Sequence, residues 1–175
     1  MEDIQLINLV REGRKNHYAE LVERYQNGLF RYVYSIVKDS DMAEDIAQDT
    51  FIKAFNALGS YNKDYAFATW LYRIGHNLAL NAIKANRTFT LDEDEVASIP
   101  APTSDAESVE NREAAVRTAV ERLPLKYRTV VMLHYWEKKE YAEIAEILDV
   151  PIGTVKTWLH RAKAKLEEDC RGIIG

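Results

Sequence analysis

The chain has 175 residues, room for one ordinary domain or two small ones. Its 23 Lys and Arg against 28 Asp and Glu, a net charge of −5, speak as a whole against a nucleic-acid binder, because phosphate contacts are made mainly by Lys and Arg. With 47% hydrophobic residues it is not globally disordered, and only 7 Gly and 4 Pro leave little punctuation for a many-stranded sheet.

Periodicity predicts a short helix over Ile4–Gly13 and a longer one from His17 to Val37. Asp39, Ser40 and Asp41 then offer caps for a third helix, Met42 to Leu58. On it Ala43, Ala47, Phe51, Ala54, Phe55 and Leu58 share one side. Asp45, Gln48, Asp49, Ile52 and Asn56 form a separate, largely polar stripe at helical spacing.

A fourth helix is expected from Phe67 to about Arg87. Tyr61, Tyr65, Phe67, Trp70 and Tyr72 crowd its start, followed by Arg73, His76, Asn77, Asn81, Lys84 and Arg87, and no acid falls between Tyr65 and Arg87. Rings interleaved with cations suit single-stranded nucleic acid, since bases stack on rings while Lys and Arg follow the backbone. Trp70, Ile74, Asn77, Asn81 and Lys84 are spaced to share one helix side, and an amide such as Asn77 can pair with a base taken out of the stack.

Thr88 to Glu110 holds two of the prolines, seven acids and no Lys or Arg, and reads as an extended, self-repelling linker. Residues 1–87 carry 11 basic and 11 acidic side chains, and residues 112–175 carry 12 and 10. The acidic balance of the whole chain therefore comes from residues 88–111.

Beyond the linker, a helix near Arg112–Leu123 is stopped by Pro124, and another spans Tyr127–Trp136. After a loop at Glu137–Glu140 come Tyr141–Leu148, the turn Asp149-Val150-Pro151 and a last helix to about Glu168. Two helices separated by three residues, the second starting after a proline, have the helix-turn-helix layout. Asp149 takes the turn position usually given to Gly, Ala145 lies at the close crossing, and Val155 sits where the second helix faces the first. From Ile152 to Leu166 the chain has Lys156, Arg161, Lys163 and Lys165 and no acid, so this helix can lie against phosphates and reach base edges.

One cysteine, Cys170, excludes an internal disulfide framework. The acidic N-terminus lacks the basic stretch of a signal peptide, and apolar runs such as Val130–Leu133 fall far short of the ~20 residues a membrane helix needs. A cytoplasmic location is expected. His17, His76, His134 and His160 lie on different elements, and no Gly-rich phosphate loop or nucleophile elbow appears. No metal, cofactor or catalysis is expected.

Together AEDIAQDTFIKAFNAL, FATWLYRIGHN, the acidic linker, LPLKYRTVVMLHYW and YAEIAEILDVPIGTVKTWLHRAKAKL resemble the bacterial alternative sigma factors of the extracytoplasmic-function group, the smallest of the sigma-70 family. The resemblance implies an all-α architecture of two small helical domains, residues 1–87 (sigma region 2) and 112–175 (sigma region 4), joined by the linker 88–111. It implies partnership with core RNA polymerase, through its beta-prime clamp and beta flap, and with promoter DNA. Asp45, Gln48 and Asp49, with Ile52 on the same stripe, would dock on the clamp coiled coil. The segment Tyr61–Arg87 would read the −10 element, with Trp70 beside the melted junction, Asn77 capturing a flipped base, and Arg73, Asn81 and Lys84 along the strand. The last helix would enter the −35 major groove, Lys156, Thr157 and Arg161 nearest the DNA and Thr154, His160, Lys163 and Lys165 beside them. The linker would thread toward the RNA exit path, and many members of the family answer to an anti-sigma partner.

Four positions depart from the family pattern. Asn81 and Ala82 stand where Asp and Arg are common, Trp158 where a basic residue is frequent, and Glu140 where Ser or Thr usually caps the helix. These bear on promoter sequence, not on role. The competing reading is a stand-alone helix-turn-helix regulator, which needs neither the aromatic fourth helix nor the polar stripe of the third. A nucleic-acid enzyme would need a carboxylate cluster with metal spacing, and none accompanies the basic segments.

Overall fold

The computed structural model describes residues 1–86 and 109–174, with side chains to Arg171; Arg87 and nearly all of the predicted linker lie outside the described residues. Every regular element among the described residues is helical. The order is α1 (Asp3–Arg11), α2 (Tyr18–Val37), α3 (Ser40–Ala57), α4 (Phe67–Asn86), α5 (Val109–Arg122), α6 (Leu125–Val131), α7 (Tyr141–Leu148) and α8 (Ile152–Ile174), with short 3₁₀ turns at Lys15–His17 and Leu58–Ser60.

Local chemistry sets the boundaries. The Asp39 carboxylate accepts the Met42 N–H at 2.8 Å, capping α3 and turning the chain sharply from α2. Lys38 makes that turn in the left-handed region, φ 56°, and its N–H closes on the Tyr34 carbonyl at 2.8 Å. Pro124 starts α6, where a missing N–H costs nothing. α5 begins at Val109, so positions 109–111, assigned to the linker from composition, are helical.

In the first half α2, α3 and α4 pack on one another around Leu21, Leu29, Tyr32, Val33, Phe51 and Leu71, with α1 against α2. α4 comes close because Gly75 lacks a side chain: a Cβ there would stand 2.8 Å from Leu29 Cδ1 and 3.4 Å from Thr50 Oγ1. Thr50 is itself buried but satisfied, donating to the Ile46 carbonyl at 2.7 Å.

The second half wraps α5, α6 and α7 around α8, with Leu133, Ile144, Ile147, Val155 and Ala162 inside. The buried Arg128 guanidinium donates to Leu123 O at 2.9 Å and Glu121 O at 3.3 Å, carbonyls at the end of α5, where a cation complements the helix dipole. Burial lowers its pKa to about 10, so it stays charged. After α6 the helix widens into a π turn over Met132–Trp136, Glu137 N–H reaching Met132 O at 3.1 Å, which turns Glu137 toward the first half.

The two halves touch. α7 lies against α4, α6 against α2, and their buried apolar side chains form one contiguous cluster. Arg128 Nε donates to Ser35 O at 2.6 Å, and Lys38 Nζ donates to Glu121 O at 2.8 Å.

Candidate polymerase and nucleic-acid interfaces

α3 divides its residues cleanly. Ala43, Ile46, Ala47, Phe51 and Ala54 face the core, while Asp45, Gln48, Asp49, Ile52 and Asn56 are all exposed. Ile52 stands out, for it is 59% exposed among polar neighbours, an apolar anchor on an acidic stripe. Such a face offers a partner one desolvated contact surrounded by carboxylates.

α4 is deeply set, with Phe67, Ala68, Thr69, Leu71, Tyr72, Gly75, His76 and Ala79 buried. His76 Nδ1 lies 2.8 Å from the Tyr32 hydroxyl, and burial lowers its pKa to about 4, so it is neutral at physiological pH. Asn77, Asn81 and Lys84 are exposed, and Trp70 and Arg73 are half-buried on the same helix.

Tyr61 differs from the sequence expectation. It is 7% exposed, its ring packed against Phe67 and Trp70 with centroids 5.9 and 5.1 Å away. Its hydroxyl donates to the Tyr65 carbonyl. The ring therefore supports Trp70 and is not displayed. What pins this loop is Arg11, which donates to Leu58 O at 2.8 Å and Tyr61 O at 2.8 Å and caps the carbonyls the turn leaves open. The exposed ring of the loop is Tyr65, 50% accessible, on the rim of a groove with Arg24, Tyr25, Lys63 and Phe67. Tyr65 belonged to the aromatic run in the sequence, but spacing alone could not separate it from Tyr61.

The helix-turn-helix forms as its spacing predicts. Asp149 adopts φ 55°, the left-handed turn residue, and Val150 N–H returns to Ala145 O at 3.1 Å. Glu140 does the work of the usual Ser or Thr by a capping box with Glu143, whose carboxylate accepts the Glu140 N–H at 2.8 Å. On α8, Val155, Leu159 and Ala162 are buried, Trp158 and Thr154 half-buried, and Lys156, Thr157, His160, Arg161, Lys163 and Lys165 exposed. All the predicted cations of this helix share the outer surface.

Further contacts between the halves fall on α4 and α2. Tyr72 donates to Glu137 at 2.7 Å, and Arg31 pairs with the same carboxylate at 2.7 Å, where the Glu137 side chain is 7% exposed. Burial, and then Glu137, push the Tyr72 pKa upward, which keeps its hydroxyl a donor. Thr69 donates to Glu143 at 3.3 Å, and Arg73 lies 3.8 Å from both Glu146 and Asp149. No helix among the described residues is long and apolar enough to cross a membrane.

Two family models match in sequence order: sigma-70 region 2 over residues 21–89, and sigma-70 region 4 over residues 113–166. The chain is 32% identical to the ECF RNA polymerase sigma factor SigW of Bacillus subtilis, over 95% of this chain and 96% of that one. It is 34% identical to the RNA polymerase sigma-H factor of Pseudomonas aeruginosa, covering 99% and 96%. Against the ECF RNA polymerase sigma-E factor of Escherichia coli it is 33% identical, covering 99% and 97%. In fold it is similar to CnrH solved with the cytosolic domain of CnrY, with TM-score 0.70, 23% identity and 95% of each chain covered. It is also similar to the sigma factor RpoE solved with the anti-sigma factor NepR from Bartonella quintana, with TM-score 0.67, 22% identity and coverage of 88% and 96%.

Proposed function

The chain belongs to the extracytoplasmic-function group of the sigma-70 family, and on that premise we propose how its residues divide the work of starting transcription. It is an alternative sigma factor: it binds core RNA polymerase and directs initiation at promoters. A stand-alone helix-turn-helix regulator is not favoured, because the region 2 match spans a first half that such a regulator does not need.

Residues 1–87 form the polymerase-binding and −10-reading domain, 88–111 the connection, and 112–175 the −35-reading domain. Asp45, Gln48, Asp49 and Ile52 dock on the polymerase clamp, the isoleucine as anchor and the acids as rim. Trp70, Arg73, Asn77, Asn81, Lys84 and Arg87 follow the −10 strand, with Tyr61 bracing Trp70 from behind. Asn77 holds an unstacked base through its amide; base capture and stacking offset the few kcal/mol that unpairing costs. Thr154, Lys156, Thr157, His160, Arg161, Lys163 and Lys165 lie along the −35 major groove, their charge neutralising phosphates and their N-terminal members reading base edges. The beta flap is the second half's polymerase partner. The chain acts in the cytoplasm by binding alone and catalyses no reaction, and an anti-sigma protein holds it in reserve.

The observation that carries this reading is two acid-free helix faces, one aromatic and one basic, on the two matched regions in the family's order. Run-off transcription tests it, using core polymerase with and without the protein on a library of genomic fragments. Transcripts that start at discrete sites only in its presence are expected; their absence across the library defeats the reading.

A further inference from the structure

Trp70 is backed by two rings, and both are held from α1. Tyr61 and Phe67 stand with centroids 5.1 and 5.8 Å from the Trp70 ring and 5.9 Å from each other. Trp70 itself is half-buried, so part of its indole stays open to a partner. Dispersion between rings is weak contact by contact and poorly directional, so the place of this trio has to be fixed by other bonds.

α1 supplies those bonds from both ends. In its last turn Arg11 sends Nε and Nη2 to Leu58 O at 3.1 and 2.8 Å, and Nη2 also to Tyr61 O at 2.8 Å. The guanidinium carbon lies 5.9 Å from the Tyr61 ring centroid. At the other end Asp3 accepts the Tyr25 hydroxyl and pairs with Arg24, and Tyr25 lies against Phe67 with centroids 5.8 Å apart. α1 does not need these bonds to keep its own place, because Leu6, Ile7 and Val10 are buried and Glu2 and Gln5 close a capping box. A planar guanidinium fork reaching 47 and 50 positions along the chain fixes a loop in angle as well as in distance, which a point charge does not.

A ring that takes the place of a lost stacking partner stabilises a separated step only if it already stands where the base arrives. A ring ordered at that moment returns part of the gain as lost rotamer freedom. We propose that α1 is a brace for strand opening: Arg11 and Asp3 are positioning residues that act through Tyr61 and Phe67 to hold the Trp70 ring, and neither touches DNA. The proposal rests on the assignment of Trp70 to the −10 strand.

Arg11→Gln and Asp3→Ala test it, each as the full-length chain with core polymerase. Two templates are used: a promoter recovered from the run-off library, and the same promoter with its −10 element and upstream junction already unpaired as a mismatched bubble. On the duplex, opening read by permanganate reactivity should slow about fivefold for Arg11→Gln, the effect of one part-buried charged hydrogen bond, and about twofold for Asp3→Ala, which acts one ring further away. On the bubble both should match the wild type, because no step is left to unstack; a damaged fold would fail on both templates. Arg11→Lys keeps the charge without the fork and should be as slow as Arg11→Gln. In a Trp70→Ala background neither substitution should add to the defect. Normal opening by Arg11→Gln, a defect that persists on the bubble, recovery with lysine, or a full additional loss in the Trp70→Ala background each overturn the brace while leaving the sigma-factor reading intact. Normal opening by Trp70→Ala alone removes the assignment of Trp70, and the proposal with it.

Discussion

α4 and α8 are the two helices assigned to DNA, and they are built in opposite ways. α4 is wedged among α2, α3 and α7, and eight of its residues are buried. Among its described side chains α8 buries only Val155, Leu159 and Ala162, and its Lys156, Arg161, Lys163 and Lys165 are exposed. The contrast suits the two tasks proposed for them. Reading an intact duplex needs a rigid helix with one free face, because the groove brings the partner groups to it. Holding a separated strand needs aromatic and amide groups fixed in place beforehand, because every base taken out of the stack costs free energy that only a preorganised surface returns. Function and stability are therefore entangled on α4 and separable on α8.

The sharpest way to break this contrast is to cut into each core. Leu71→Ala on α4, at a fully buried position, should cost about 4 kcal/mol in chemical denaturation. A loss below about 1 kcal/mol would mean α4 is not embedded as described.

Acid provides the next largest effect. His76 has a folded pKa of about 4 against 6.5 unfolded, so between those values the unfolded chain takes the proton first. Stability is complete above pH 6.5 and falls as pH drops toward 4, by about 3 kcal/mol in all. His76→Gln should flatten that slope in denaturation curves taken across the window; an unchanged slope assigns the acid sensitivity elsewhere.

On α8 the expectation reverses. Lys156→Ala with Arg161→Ala should leave stability within about 0.5 kcal/mol. Upstream duplex binding should weaken roughly 30-fold, with a salt slope reduced by about two. A changed melting temperature with unchanged binding would invert the comparison. The smallest effect is on the exposed side of α4. Asn77→Ala should reduce open-complex formation about tenfold, read by permanganate footprinting, while polymerase affinity stays put. Equal opening by the variant removes Asn77 from the strand-capturing set.

Much of this was legible in the residues. Caps such as Asp39, breakers such as Pro124 and the left-handed Asp149 turn act within a few residues, so they declare α3, α6 and the helix-turn-helix without any tertiary knowledge. The stripe of α3 was readable for the same reason, since helical spacing fixes which side chains share a face. Tyr61 was not: whether a ring in an aromatic run is core or display depends on Phe67, Trp70 and Arg11 converging on it. Glu140 looked like a missing cap until Glu143 closed the box. Composition also drew the linker too long, because Glu110 and Asn111 match a spacer in polarity yet sit on the outer surface of α5. Least visible was Glu137 against Arg31, 106 positions apart, because sequence does not record which surfaces meet.

The division of α8 has a consequence for how such proteins diversify. Val155, Leu159 and Ala162 keep the helix in place, and Lys156, Thr157, His160 and Arg161 share no position with them. Changes at the outer set leave the folding free energy nearly untouched, so selection can try new target preferences one residue at a time without passing through unfolded ancestors. On the proposed reading of α8, a duplicated gene with this helix acquires a separate set of promoters by drift at a few surface codons.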